Sequence, residues 1–413
     1  MTVVDPGPAR RRARPPAPGG AAVATRGHRP PAPLEPGGPA RRPAAFVLLL
    51  VLVGALTVVG LVMVLSASSV QALRNHGSSW YFFNRQVAWV VVGTAAMLVT
   101  SRIHYRHWRR LGAPLLAVTL VLMVLVLVPG VGIRVSGSSR WLGYGPLRMQ
   151  PSELAKLALV LFGADLLARR ADRMGEWGQT ARPLLAFYGA VAVLLLAQPD
   201  LGTALVTGAA VVSLLFLAGT PMGTMSVLGA AGAAGVLVLA KIEPYRWRRM
   251  TSFLDPFADA ANTGYQAAQA RVALASGGLT GLGLGASRSK WGFLPAAHTD
   301  FIFAVVGEEL GLAGALVVVA LFAGLAAVGV RIALRAPDRF GMLVAGGITA
   351  WIVGQAVVNL GAVVGLLPIT GVPLPFVSAG GSSLVPLMAA IGLLLNISLH
   401  GRPPAARPSR PTP

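Results

Sequence analysis

The chain has 413 residues, of which 54% are hydrophobic and 12% charged, and its mean hydropathy is +0.67, which excludes a soluble globular domain and indicates a polytopic membrane protein. A net charge of +21 does not indicate a nucleic-acid binder, because the arginines gather in the tails and in short connections between apolar runs, where they set orientation and meet anionic lipid. There is no cysteine, hence no disulfide or thiol chemistry, and the six histidines (His28, His76, His104, His107, His298 and His400) lack metal-ligand spacing.

Residues 1–44 are rich in Pro, Arg, Ala and Gly without hydrophobic period, which predicts a disordered basic tail. The first apolar run begins only near Ala45 and is long enough to span by itself, so no signal peptide is expected. Apolar runs recur at about 45–66, 86–100, 113–130, 151–168, 184–197, 203–219, 224–241, 301–330, 342–366 and 376–398. The predicted fold class is therefore an all-α polytopic membrane protein of about ten transmembrane helices over 45–399, with the second and fifth runs short enough to need tilt or flanking turns. A short tail follows at 400–413. With both termini cytoplasmic, 22 of the 35 Lys and Arg fall on the inner side. Seven of the remainder lie between Lys241 and Lys290, in a segment long enough to escape the positive-inside rule. This orientation puts residues 242–300, between helices 7 and 8, outside the cell.

Several polar constellations then share the outer side. The string around Arg140 and Trp141 leads into Gln150–Lys156, where Pro151 suits a first helical turn and Ser152 or its neighbour caps it. Glu153 and Lys156, three apart, share a helical face just inside the bilayer; spacing alone leaves open whether they meet a wet cavity or merely pair with each other to lock helices. Asp200, in the turn Gln198–Thr203, caps the next span or faces the same cavity. Gly365–Ser383, with Pro368, Pro373, Pro375 and paired glycines, breaks the chain at membrane depth, which is tolerated where backbone lines a cavity or is buried in protein.

The segment Tyr245–Gly314 organises the rest. It lacks obvious regular structure, yet its aromatic residues (Tyr245, Trp247, Phe253, Phe257, Tyr265, Trp291 and Phe293) argue against a solvated linker, and its glycines allow close approach to a ligand. It closes on His298-Thr299-Asp300-Phe301 and is expected to run without a break into an apolar helix carrying Glu308 and Glu309. Glu308 falls at about 80° from Asp300 around that helix and Glu309 almost opposite, both about 12 Å further along. A structural role, pairing with a basic group elsewhere, is expected for them.

From Gly60 to Ser383 these strings resemble the SEDS family of peptidoglycan polymerases, and within it the cell-division branch (FtsW-like) more than the elongation branch (RodA-like). The strings that carry the resemblance are Leu61–Ser69, QPSELAK (Gln150–Lys156), QPDLGT (Gln198–Thr203), TSFLDPFAD (Thr251–Asp259), SGGLTGLGLGASR (Ser276–Arg288), AHTDFIFAVVGEELG (Ala297–Gly311) and GLLPITGVPLPFVSAGGSSL (Gly365–Leu384). The resemblance implies ten membrane helices with both ends cytoplasmic, and a glycosyltransferase at the septal cytoplasmic membrane. That enzyme would join lipid II units to a nascent glycan strand at the outer leaflet and release undecaprenyl pyrophosphate. It further implies a class B penicillin-binding transpeptidase and other membrane proteins of the division machinery as partners. In family terms Asp300 is the essential residue, and Arg85, Arg140 and Lys156 line the substrate cavity. Three positions depart from the family pattern, namely Ser136-Gly137-Ser138, Ala296-Ala297 and Ala379; none touches Asp300, Arg140 or Lys156.

The residue chemistry fits this reading. An acceptor hydroxyl attacking an anomeric carbon needs a base, and a carboxylate held partly desolvated at the membrane rim suits Asp300 to that task. Arg85, Arg140, Lys156, Arg248, Arg288, Lys290 and Arg246 could neutralise the diphosphate leaving group. Glu153, Asp200, His298 and Ser382 complete the candidate substrate-binding set. A divalent ion (Mg or Mn) bridging Asp300 to phosphate is chemically compatible, but the ligand set is too sparse to predict one. A transporter that flips lipid II would use the same polar cavity; the polar residues gather at the outer rim and no inverted repeat is visible, which favours an enzyme. An elongation-type polymerase and a scaffold that only recruits the transpeptidase are the remaining alternatives.

Overall fold

The structure, a computed structural model, describes Thr2 and residues 43–135, 138–144, 147–173, 175–242 and 244–401. The expected tails lie almost wholly outside the described residues, as do Ser136 and Gly137. Twelve helices are described: α1 (Ala44–His76), α2 (Tyr81–Arg102), α3 (Tyr105–Leu127), α4 (Pro151–Arg169), α5 (Ala181–Ala197), α6 (Leu201–Leu217), α7 (Met222–Ile242), α8 (Pro244–Thr251), α9 (Tyr265–Gly277), α10 (Ile302–Leu334), α11 (Arg339–Val364) and α12 (Leu384–Leu399).

All but α8 and α9 are the apolar runs of the sequence. Seven of these ten, α12 being counted with the turn that precedes it from Gly381, are long and apolar enough to cross a membrane on those grounds alone. α5 and α6 are apolar but have 17 residues each, about 25 Å at 1.5 Å per residue. α4 is long enough, with 19 residues, and carries Glu153, Lys156 and Asp165 within its span. The second run is less short than expected: Tyr81–Arg85 before it and Ser101–Arg102 after it extend α2 to 22 residues.

α11 and α12 form the middle of the bundle, with 67% and 72% of their most apolar stretches buried inside the protein. Neither lipid nor protein interior is polar, so helices here associate through close fit and inter-helix hydrogen bonds. Thr100 on α2 accordingly donates to the Ala389 carbonyl of α12 at 3.0 Å, beside Gly392, where any Cβ would collide with the Met97 carbonyl.

Two features lie outside the helical pattern. Between α3 and α4 the chain forms a small antiparallel sheet, β1 (Ile133–Val135), β2 (Ser138–Tyr144) and β3 (Leu147–Met149), in the order β1-β2-β3 with Ile133 opposite Trp141 and Gly143 opposite Arg148. Arg140 sits on its middle strand. The segment 242–300 is also more regular than expected, since it holds α8, α9 and a short 3-10 turn at Ser289–Trp291.

The expected continuous helix after Asp300 is in fact interrupted. Gly311 takes φ 68° and ψ −167°, which separates a fully buried first portion from the span that follows. The loop before it satisfies the groups freed by this break. Leu282 and Gly283 donate to the carbonyls of Glu308 and Glu309 (both 3.0 Å), while Leu312 and Ala313 donate to the carbonyls of Gly278 and Leu279 (2.9 and 3.2 Å). Backbone polar groups at membrane depth need such partners.

Candidate active site

The site lies where α11 ends and α12 begins. Gly365 ends α11 in the left-handed conformation (φ 83°), and the prolines that follow prevent the chain from forming a ladder of its own. Residues 366–380 therefore run irregularly, with Leu374–Ser378 buried. Their polar groups find partners one by one. Gln355 donates to the Pro373 carbonyl (2.9 Å), Asn359 to that of Val372 (2.8 Å), and the Ser378 hydroxyl accepts from the Leu374 amide (2.8 Å).

This broken segment is stapled to the His-Thr-Asp string. Ser378 Oγ donates to the Thr299 carbonyl at 2.7 Å, the Ala379 amide to the His298 carbonyl at 3.0 Å, and Asn359 Nδ2 to the carbonyl of Asp300 at 2.7 Å. Asp300 is half-buried, two residues before α10, and its Oδ2 lies 3.6 Å from where a Cβ on Gly371 would stand. The carboxylate thus faces bare main chain. His298 is half-buried and packs on Phe82 of α2, with ring centroids 4.9 Å apart. Burial lowers the pKa of its imidazole, which keeps it neutral.

The other site residues converge to different degrees. Asp200 is the N-cap of α6, accepting from the Thr203 amide at 3.2 Å, as its sequence position suggested. Arg140 reaches this turn from β2. Its Nε donates to the Gln198 carbonyl at 3.0 Å, its guanidinium also donates to the Pro199 carbonyl, and Nη1 lies 3.9 Å from Asp200. Gln150 amide hydrogens contact Asp200 (3.4 Å) and the hydroxyl of Ser382 (3.3 Å). A Cβ on Gly202 would collide with the Thr370 carbonyl, so the α6 start abuts the segment that Asp300 faces. Arg85 lines an open groove of about 460 Å³ on α2 together with Tyr81, Trp89 and Val92.

Of the two readings left open for Lys156 and Glu153, the structure shows the mutual pair. Lys156 is 1% exposed; its ammonium is 2.8 Å from Glu153 and 2.8 Å from Gln355 Oε1, and lies over the Trp351 ring at 5.2 Å. A cation so enclosed supports its neighbours and does not itself present charge to a ligand, because burial demands that its donors be used internally. Glu153 also borders a cavity of about 10 Å³, room for a single water.

Lys290 and Arg248 bond within the segment 242–300 in this arrangement. Lys290 donates to the Gly285 carbonyl, and Arg248 lies near Asp259, whose carboxyl is held low mainly by hydrogen bonds from Thr263 and Asn262. The Arg246 side chain is outside the described residues. Glu308 and Glu309, expected to meet a basic group, instead accept from hydroxyls and amides. Glu308 takes Ser287 Oγ (2.6 Å) and the Arg288 amide (2.9 Å), and Glu309 takes Ser66 Oγ of α1 (2.6 Å). Among the described residues no cluster of three or more His, Asp or Glu is placed to hold a metal ion, so no step below passes through one.

Sequence reasoning missed Gln355, Asn359, Ser378 and Gly371. The first two carried a readable signal: two amides four residues apart in an otherwise apolar run require partners on one helical face.

Fold and site together define a multi-pass membrane protein that holds a single half-buried carboxylate in a frame of main-chain and amide hydrogen bonds at one end of its helical bundle. Residues 46–402 match the FtsW/RodA/SpoVE model, described as cell cycle protein, and the chain belongs to that family. It is 42% identical over 352 residues to the probable peptidoglycan glycosyltransferase FtsW of Geobacter metallireducens, covering 85% of this chain and 94% of that one. Among solved structures it resembles a chain of a peptidoglycan synthase complex that coordinates polymerization and crosslinking (TM-score 0.71, 32% identity, 85% of this chain and 96% of that chain). It also resembles the rod shape determining protein RodA of Thermus thermophilus (TM-score 0.63, 31% identity, 85% and 95%).

Proposed function

We infer that this chain is a peptidoglycan glycosyltransferase of the cell-division kind, polymerising lipid II at the outer face of the bacterial cytoplasmic membrane during septal wall synthesis, with Asp300 as general base. The observation that carries the reading is the stapling of His298–Asp300 to the broken segment, which holds one half-buried carboxylate against bare main chain at Gly371. The relative named FtsW, 42% identical over 85% of this chain, supports the septal branch.

In the reaction, the 4-hydroxyl oxygen of the acceptor sugar forms a bond to the anomeric carbon of the donor. Its proton passes to Asp300, and the bond from that carbon to the diphosphate oxygen breaks, so that undecaprenyl diphosphate leaves with the electron pair. A single displacement inverts the anomeric centre. A base must stand within about 2.6–3.2 Å of the hydroxyl, which is why the carboxylate is fixed through its own backbone. Arg140, 28% exposed beside Asp200, and Arg85 in the α2 groove are on this reading the cations that meet the diphosphate. Both termini are cytoplasmic on this reading, residues 242–300 are extracytoplasmic, and a class B penicillin-binding transpeptidase with other division proteins would crosslink the product.

The test is polymerisation of fluorescent lipid II by the full-length protein in detergent. Wild-type chain should give a ladder of glycan products that Asp300→Ala abolishes; undiminished polymer from the variant removes Asp300 as the base.

A further inference from the structure

We propose that Asn359, seconded by Gln355, is the positioning residue of the reaction: a single α11 amide sets the spacing between Asp300 and the main-chain surface its carboxylate faces. This rests on the reading of Asp300 as the base.

Asn359 is 3% exposed and lies within α11, surrounded by apolar neighbours. Both of its donor contacts go to carbonyls of different segments: Asp300 at 2.7 Å and Val372 at 2.8 Å. Val372 is covalently next to Gly371, the residue opposite Asp300 Oδ2. One planar NH2 group therefore holds the residue that carries the carboxylate on one side and the surface facing it on the other. The two carbonyl acceptors also fix which way the amide points, since the reversed orientation would set oxygen against oxygen. In that orientation Asn359 Oδ1 is buried without a hydrogen-bond partner.

Gln355 repeats the arrangement one turn earlier on the same face. Its Nε2 donates to the Pro373 carbonyl at 2.9 Å, and its Oε1 accepts from Lys156 Nζ (2.8 Å) and Trp351 Nε1 (3.1 Å). Lys156 is in turn bound by Glu153, so one hydrogen-bonded run leads from the buried ion pair of α4 through Gln355 to Pro373, and a second joins Val372 through Asn359 to the backbone of Asp300; the covalent Val372–Pro373 bond connects the two. The role of Lys156 in this frame is to orient Gln355, and it contacts no reacting atom.

Positioning has a kinetic signature, because a misplacement of about 1 Å can cost 10²-fold in rate without weakening binding. Initial rates of lipid II polymerisation by the full-length protein are measured against substrate concentration and pH. Asn359→Ala should lower kcat about 10- to 100-fold with KM unchanged within about threefold, and should move the acid limb of the kcat profile, since the base is no longer held in the same surroundings. Gln355→Leu should act in the same direction and less. Should Asn359→Ala fail to fold by gel filtration, Asn359→Asp keeps the shape while removing at least one donor and is expected to show the same split. A kcat within twofold of wild type in a folded Asn359 variant overturns the proposal, as does a loss of kcat that tracks the thermal midpoint with an unmoved acid limb. The two readings fail separately: full activity in Asp300→Ala removes the base and the proposal with it, while an inactive Asp300→Ala beside a fully active Asn359→Ala removes the proposal alone.

Discussion

α11 and α7 have similar mean hydropathies over their most apolar stretches, 1.7 and 1.9, yet 67% of that stretch is buried in α11 and 6% in α7. Lipid tails and protein interior are equally apolar, so hydropathy cannot separate a helix at the centre of a bundle from one at its edge. The difference is written in the polar residues. α11 carries Thr349, Trp351, Gln355 and Asn359, and the last three bond to side chains or to other segments of the chain. In α7 the polar side chain of Ser226 turns back on its own helix, to the Met222 carbonyl at 3.0 Å. α7 borders few helices, and its Lys241 lies over the Trp247 ring of the adjoining α8 at 5.5 Å.

That contrast is broken most directly at what α11 holds. Asp300→Asn keeps the shape and removes the base; kcat should fall about 10²- to 10⁴-fold in the lipid II assay, and a smaller loss would mean that the frame around α11 positions no base. Lys156→Met comes next, because it leaves Glu153 buried without its cation; a destabilisation of about 3–5 kcal/mol is expected by thermal unfolding in detergent. The double variant Glu153→Gln, Lys156→Met should recover much of it, and failure to recover would place the cost in packing and not in charge. Packing alone is compared by Ile352→Ala in α11, fully buried, against Val227→Ala in α7, 67% exposed to the surroundings: about 2–5 kcal/mol for the first and within about 0.5 kcal/mol for the second. Equal effects would erase the distinction between the two helices.

The smallest effect concerns pH. His298 is neutral in the folded protein because burial lowers its pKa below 6.5, whereas the unfolded chain titrates near 6.5. Below that value the unfolded state binds more protons than the folded one, so its contribution to stability is present above about pH 6.5 and is lost as the pH falls towards the depressed folded value. Unfolding midpoints measured from pH 7.5 to 5 should decline for the wild type and less for His298→Gln.

Much of this was legible in the amino acids. The apolar runs gave the ten long helices, Asp200 announced itself as a cap by its place before Leu201-Gly202-Thr203, and Pro368 to Pro375 marked the broken segment. The spacing of Glu153 and Lys156 showed that they share a helical face but not what the face meets, since the partner, Gln355, is 199 residues away. The interruption at Gly311 was hidden because a lone glycine in an apolar run is usually helical, and its positive φ is dictated by Gly278 and Leu279 approaching from the preceding loop. For Glu308 and Glu309 the sequence predicted a cationic partner by charge logic. The structure supplies main-chain amides and serine hydroxyls instead, donors that every loop carries and no composition reveals.

Gly371 has a practical consequence. It sits at φ +71°, a conformation that side chains rarely adopt, and it is what the Asp300 carboxylate looks upon. An inhibitor that gripped the carboxylate on one side and the peptide groups of 370–372 on the other would therefore bind, on the second side, backbone atoms that no codon change can delete. Resistance at Gly371 itself would have to accept a replacement that strains the backbone there.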